Sequence, residues 1–313
     1  MESNIIRIGT RGSALALYQA KQIQLAINKH VPERQTEIVI IHTKGDKILD
    51  VSLSKIGDKG LFTKELEIAL LNHKIDIAVH SLKDVPTSFP EGLHLGAVLK
   101  RTEVRDALVS KNGKLLHQLS IHDVIATSSL RRRAQLLAYN PNFNIIDIRG
   151  NINTRLEKMD KGYCDAIIMA ATALQRLGLE DRITEILDSE IMIPAVSQGV
   201  IAIETRINDS QIASVMKGIN HEETMHVIIA ERAFLKSMDG GCQIPLGCYS
   251  VIQGETFSFT GFVADLKGIR SIRLTLTGEL KNAADIAIEV SQQMKAKGAM
   301  EILDEIRNHE NFM

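Results

Sequence analysis

The chain has 313 residues and a net charge of −1, with 44% hydrophobic, 24% charged and only 4% aromatic residues, none of them tryptophan. That length allows two or three domains and a core that needs neither disulfide nor metal. The near-zero charge and scarce aromatics exclude a surface built as a whole for nucleic acid, and the longest apolar runs, such as 166–171, fall far short of the ~18 residues of a membrane span.

In chain order, short apolar runs over 5–8, 36–42, 75–79, 93–99, 124–126, 144–148, 166–169 and 200–204 read as strands. Helical periodicity runs over 14–29, 63–72, 130–139, 152–161 and 171–177. Strands separated by helices predict βαβ units and parallel sheets. The nearly continuous apolar run Ile75-Asp76-Ile77-Ala78-Val79 fits a strand buried on both faces. From about residue 225 the order changes to a helix over 225–236, a loop with Gly240-Gly241, strands over 246–252, 257–264 and 270–276, and a helical stretch over 283–306. Strands bunched between helices predict a small α+β domain. Boundaries are expected near 100–105 and near 220, and the first two regions look like two versions of one βα design. An amino-terminal apolar run broken by charge after Ile5-Ile6 does not read as a secretory signal. Three cysteines cannot all pair, and their spacing matches no common zinc pattern, which predicts a reducing, cytoplasmic setting.

Three predicted strands run straight into polar, arginine-bearing turns and then helices: Ile8-Gly9-Thr10-Arg11-Gly12-Ser13, Ala126-Thr127-Ser128-Ser129-Leu130-Arg131-Arg132-Arg133 and Ile148-Arg149-Gly150-Asn151-Ile152-Asn153-Thr154-Arg155. Serine, threonine and asparagine are good N-caps there, but arginine in a first helical turn faces the positive end of the helix dipole. Helix N–H groups and guanidinium groups together make an anion site. Read singly, each arginine is a solvated group or the partner of a local acid. Repeated at equivalent strand ends, which gather on one rim of an α/β sheet, they are expected to converge on one cleft for a ligand with several carboxylates or phosphates. A fourth strand end, His80-Ser81-Leu82-Lys83-Asp84-Val85-Pro86, sets Lys83 and Asp84 side by side. A carboxylate among cations stays ionised and can stabilise a developing cation or hold a donor N–H; the plainer reading is a turn aspartate capping its own backbone. Cys242 follows two glycines that allow close backbone approach, whereas Cys164 and Cys248 border or lie in predicted strands and read as core thiols.

Several motifs fail. His221 and His226 are five apart, not the four of a zinc helix. Ser52-Leu53-Ser54-Lys55 lacks its partner motifs, and neither nucleotide-binding glycine fingerprint occurs. The lysine-rich stretch over 43–60 is long for a loop and reads as a lid or as plain surface.

The segments Ile8–Ser13, Gly57-Asp58-Lys59-Gly60-Leu61-Phe62, His80-Ser81-Leu82-Lys83-Asp84-Val85-Pro86-Thr87, Thr127–Arg132, Arg149-Gly150-Asn151, Gln198-Gly199 and Gly240-Gly241-Cys242 occur in one order and spacing. In these the chain resembles, essentially end to end, the porphobilinogen deaminase (hydroxymethylbilane synthase) family. The resemblance implies an α/β fold: two domains like those of type II periplasmic binding proteins, with the chain crossing twice, and a smaller α+β third domain. Residues 1–99 with 200–217 would form the first, 105–193 the second and 222–313 the third, the return crossing falling near 194–198.

The implied function is a cytoplasmic, monomeric transferase of tetrapyrrole (porphyrin and heme) biosynthesis. It would join four porphobilinogen molecules head to tail, losing ammonia each time, and release linear hydroxymethylbilane. Each porphobilinogen carries an acetate and a propionate, which accounts for the arginines. One dipyrromethane cofactor, made from substrate, would be bound to Cys242 through a thioether. By the same resemblance Asp84 is catalytic, holding pyrrole N–H groups and stabilising positive charge as an azafulvene forms. Ser81, Lys83, Thr127, Ser129, Arg131, Arg132, Arg149 and Arg155 would hold the cofactor. Arg11, Ser13, Arg149, Arg155 and Arg176 would hold substrate, and Lys55 and Lys59 would belong to a lid. No metal, nucleic acid or membrane is implied. Two rivals stay in view: a bilobal binder of polyanions without chemistry, which would not need Cys242 with Asp84, and a nucleic-acid binder built on Arg131-Arg132-Arg133.

Overall fold

The computed structural model describes residues 5–47, 60–240 and 244–310. They fall into two compact units: 5–47, 60–102 and 199–225 in the first, and 103–198, 226–240 and 244–310 in the second.

The first unit is built on five strands: β1 (Ile5–Thr10), β2 (Gln35–Ile40), β3 (Ile77–Ser81), β4 (Leu93–Val98) and β10 (Ile201–Arg206), in the order β2-β1-β3-β10-β4. The helix Ala14–His30 turns the stripe Ala16, Gln19, Ala20, Ile23 and Ile27 inward, the i, i+3, i+4, i+7 spacing of one helix face. With Ile212, Val215 and Met216 of the helix Ser210–Ile219, that stripe packs on Ile6, Ile8, Ile77, Val79, Ala97 and Ile203 of the sheet. The helix Lys64–Leu71 covers the other face through Leu66, Ala69 and Leu70, against Ala78 and Leu93.

The second unit repeats the design. Its sheet runs β7-β6-β8-β5-β9, from β5 (Asp106–Ser110), β6 (Val124–Ala126), β7 (Asn144–Ile146), β8 (Ala166–Ala170) and β9 (Glu185–Ile186). The helices Leu130–Tyr139 and Ile152–Asp160 follow β6 and β7, as Ala14–His30 follows β1 and Lys64–Leu71 comes between β2 and β3, after the short helix Lys44–Lys47. The unit also holds an antiparallel sheet of β11 (Leu246–Gln253), β12 (Thr256–Ala264) and β13 (Ser271–Glu279). The helices Ala283–Ala296 and Ala299–Glu310 cover it, around a core with Phe234, Phe257, Phe259, Val290, Met294 and Leu303. Among the described residues no helix is long and apolar enough to cross a membrane.

The expected parallel pairing holds for β1 with β2 and β3 and for β6 with β7 and β8, while β10 runs antiparallel to β3 and β4, and β5 antiparallel to β8 and β9. Both strands adjoin the places where the chain passes from one unit to the other, so no helical crossover within the unit fixes their direction. β5 and the helix Ser210–Ile219 have no counterpart among the predicted elements, and the predicted helix over 283–306 is two helices parted at Gly298, whose φ is 92°.

Candidate active site

In the first unit β1 and β3 are parallel neighbours, with Ile8 opposite Ile77 and Gly9 opposite Ala78, so both carboxyl ends open on one edge. There an open pocket is lined by Arg11, Ser13, Gln19, Phe62, Ser81 and Asp84 among others. Asp84 ends the 3-10 turn Leu82–Asp84. Buried Leu82 anchors that turn, its N–H donating to Val200 O at 3.1 Å, and Val85 N–H closes it on Leu82 O at 3.1 Å. Among the described residues no donor lies within hydrogen-bond distance of the Asp84 carboxylate, so it does not cap its own turn. Lys83 sits half-buried beside it. Buried Gln19 donates to Ser81 Oγ at 2.8 Å. In the pocket wall, buried His80 Nε2 lies 3.0 Å from Glu204 Oε2 and joins β3 to β10. Ser13 caps its helix, accepting from Ala16 N–H at 3.3 Å.

Arg11 carries a partner the sequence did not announce. Its Nε and Nη2 donate to Asp46, and its guanidinium lies 4.1 Å from the centroid of the Phe62 ring. Burial works against ionisation of Asp46, but the bonds from Arg11 and Thr43 outweigh it and hold the carboxyl below its ordinary range.

In the second unit the turns after β6 and β7 are tied by Ser128, whose Oγ donates to Ile148 O at 2.8 Å and accepts from Ile148 N–H at 3.0 Å. Ser129 accepts from Arg132 N–H at 3.4 Å and Asn151 from Thr154 N–H at 3.0 Å, each capping the helix it precedes. Thr127 is buried, and its Oγ1 accepts from Ser129 N–H at 3.2 Å. Gly150 has φ 115°, a conformation that suits glycine and turns the chain between Arg149 and the cap.

Arg131 and Arg132, expected to be open to ligand carboxylates, are buried and share Asp106, at 2.8 and 2.7 Å. Gln198 Nε2 adds a bond to Asp106 at 2.9 Å, and Arg132 Nη1 donates to Ile168 O at 3.0 Å. Burial opposes the charge on Asp106, yet the two guanidinium groups hold its carboxyl far below the usual carboxylate range; burial also lowers the pKa of Arg131. Arg132 Nε is buried without an acceptor among the described residues. Arg149 is half-buried with no acid within ion-pair distance among the described residues, and burial lowers its pKa. Arg155 Nε donates to Gly150 O at 2.8 Å, and Arg176 follows the helix Ala171–Gln175. Cys164 and Cys248 are buried, and burial pushes the Cys164 thiol up to about 11. Cys242, Lys55 and Lys59 lie outside the described residues.

Arg11, Ser13, Ser81 and Asp84 are thus gathered in the first unit, while Thr127, Ser129, Arg131, Arg132, Arg149, Arg155 and Arg176 belong to the second. The acids that order the arginines, Asp46 and Asp106, were missed. Asp106 sits in the unpredicted β5, and a polar residue beginning an apolar Ala-Leu-Val run was the available signal.

A family model described as porphobilinogen deaminase, dipyromethane cofactor binding domain, matches residues 6–214, and one for the porphobilinogen deaminase C-terminal domain matches 225–296. The porphobilinogen deaminase of Desulforamulus reducens is 47% identical over 302 residues, 96% of this chain and 98% of that protein. That of Synechococcus elongatus is 47% identical over 304 residues, 96% and 95% of the two chains. That of Geobacter sulfurreducens is 43% identical over 310 residues, 99% and 97%. Among solved structures the periplasmic VFT2 domain of BvgS from Bordetella pertussis is 12% identical with a TM-score of 0.41, over 70% of this chain and 87% of that one. On these family models and full-length relatives, the chain belongs to the porphobilinogen deaminase family.

Proposed function

We propose that the chain condenses four porphobilinogen molecules stepwise into linear hydroxymethylbilane, releasing ammonia at each step. The single observation that carries this, beside family membership, is Asp84: a carboxylate with no donor among the described residues, opening on a pocket that also holds a guanidinium and hydroxyls. An acceptor of that kind takes the pyrrole N–H of an incoming porphobilinogen. Held in place, it stabilises positive charge that spreads into the ring as ammonia leaves. Arg11 offers its guanidinium to a substrate carboxylate, and Ser13 and Ser81 offer hydroxyls. Arg149, Arg155 and Arg176 serve further substrate carboxylates.

The residues of the second unit fit a dipyrromethane, whose two rings carry four carboxylates. Two guanidinium groups share one carboxylate at Asp106, so the cluster keeps a net positive charge that favours an anionic ligand. Thr127, Ser129, Arg131, Arg132, Arg149 and Arg155, with Ser81 and Lys83, would hold it, and Cys242 would carry the thioether. Bound, the group supplies an anchored nucleophilic pyrrole from which the product chain grows. Lys55 and Lys59 are assigned to a lid. The organisation into 1–99 with 200–217, 105–193 and 222–313, the cytoplasmic location and the monomeric state belong to the same reading. Supporting the domain division is a distinct sheet in each of the three segments.

Porphobilinogen consumption and intact mass test the reading together. Wild-type protein should show a two-pyrrole mass increment and release one ammonia per porphobilinogen consumed. Asp84→Asn should keep the increment and lose turnover by about 10²–10⁴-fold, the range for a removed general acid–base or electrostatic group. Cys242→Ser should lack the increment. Near-normal turnover in Asp84→Asn removes Asp84 from the mechanism, and an increment persisting in Cys242→Ser removes the attachment.

A further inference from the structure

A guanidinium is flat and has two edges that can grip a carboxylate with a pair of parallel bonds, one formed by Nε and Nη2 and the other by Nη1 and Nη2. On Arg11 the first edge is taken. Nε lies 3.1 Å from Asp46 Oδ1 and 3.3 Å from Oδ2, and Nη2 donates to Oδ1. One face of the group is covered by the Phe62 ring at 4.1 Å. No described residue accepts from Nη1. What remains for a carboxylate is the second edge of a side chain that lines the Asp84 pocket.

Asp46, for its part, is saturated. Its Oδ2 accepts from Thr43 N–H at 3.2 Å and Thr43 Oγ1 at 2.9 Å, while Oδ1 serves Arg11. Thr43 is itself fully buried, so the carboxylate is fixed from behind. Little acceptor capacity is left for a substrate N–H, in contrast to Asp84. A second carboxylate so close to the pocket therefore has one thing to act on, which is Arg11.

We propose that Asp46 is a positioning residue for substrate binding: by occupying the Nε/Nη2 edge of Arg11 it leaves only the Nη1/Nη2 edge to receive one carboxylate of porphobilinogen. The inference rests on the reading that Arg11 binds substrate. It replaces a flexible four-torsion side chain with a pre-set fork, so less rotamer freedom is lost on binding.

Steady-state kinetics with porphobilinogen on the cofactor-loaded protein test it, using Asp46→Asn, Asp46→Glu, Arg11→Lys and the double variant Arg11→Lys/Asp46→Asn. Asp46→Asn should raise KM about tenfold, the scale of one charge-assisted hydrogen bond, with kcat changed less than about threefold. Asp46→Glu, which keeps the charge, should recover part of that loss. Arg11→Lys should raise KM comparably, because lysine has no second edge to present. The double variant should be no worse than the worse single one, since both act through one contact. An unchanged KM in Asp46→Asn, with or without a lowered melting temperature, overturns the proposal. So does a lowered KM, which would make Asp46 a competitor for the fork, and so do additive effects in the double variant. If Arg11→Lys leaves KM unchanged, it is the substrate-binding reading of Arg11 that falls; if Arg11→Lys raises KM and Asp46→Asn does not, only the positioning role falls.

Discussion

Asp106 shows how much one buried acid decides. It is fully buried between Arg131 and Arg132, with Gln198 as a further donor. Removing its charge leaves two guanidinium groups without a counter-ion, and breaking a buried pair from one side costs about 3–5 kcal/mol. Asp106→Asn should therefore unfold at a clearly lower urea concentration. The pH dependence has a defined sign. Because the folded-state pKa is depressed, the contribution of Asp106 is fully present above its unfolded value of about 4 and is lost as pH falls through the lower folded value. Stability of the wild type should fall with pH below about 4, and Asp106→Asn should show a flatter profile there; parallel profiles, measured as urea midpoints from pH 2 to 7, would exclude Asp106 as the linked group. The arginines of this cluster were legible in the sequence because they repeat at strand ends. Their acids were not: Asp106 lies 25 residues from Arg131 and Asp46 lies 35 from Arg11, and no spacing rule ties such pairs.

At the scale of elements, local chemistry was the readable part. Ser13, Ser129 and Asn151 each cap the helix that follows, as a hydroxyl or amide before an apolar-periodic run predicts. Strands with continuous apolar runs, such as β8, were found almost to the residue, whereas β5, with Arg105-Asp106 at its start, and the two-residue β9 were not. Their identity as strands comes from the pairing of Ala107 and Leu108 with Ile186 and Glu185 and of Leu108 with Ile168, a tertiary fact that propensity does not carry. Asn151 gives the test at this level, because its side chain accepts both Thr154 N–H and Thr154 Oγ1 at 3.0 Å while remaining exposed. Asn151→Ala should cost about 1 kcal/mol and Asn151→Asp close to nothing, read as shifts in the urea midpoint. Equal losses in both variants would mean that the amide acts on something other than the helix start.

For the whole molecule, alternation of strands and helices made the α/β class readable, with two βα parts of one design and a smaller α+β part. The reversed direction of β5 and β10 was not readable, because it follows from where the chain passes between units and not from any residue pattern. Within the second unit the core is not one body. Phe234, Phe257 and Phe259 centre one cluster under β11–β13, while Leu108, Ile125, Ile168 and Ala107, Val109, Ile167 centre others around β5, β6 and β8. A small cluster of Ala134, Ile193, Phe262 and Ala264 lies between them. If 222–313 is a cooperative domain, a cavity in the first cluster should loosen it alone. Phe259 is fully buried and meets the Phe234 ring edge-on at 5.2 Å, so Phe259→Ala should cost about 3–5 kcal/mol. Amide exchange in β11–β13 and the helix Ala283–Ala296 should then speed up markedly, with β5, β6 and β8 keeping their protection. Equal loss of protection in both sheets would mean that they open as one cooperative unit and that the boundary near 220 is not a boundary of folding.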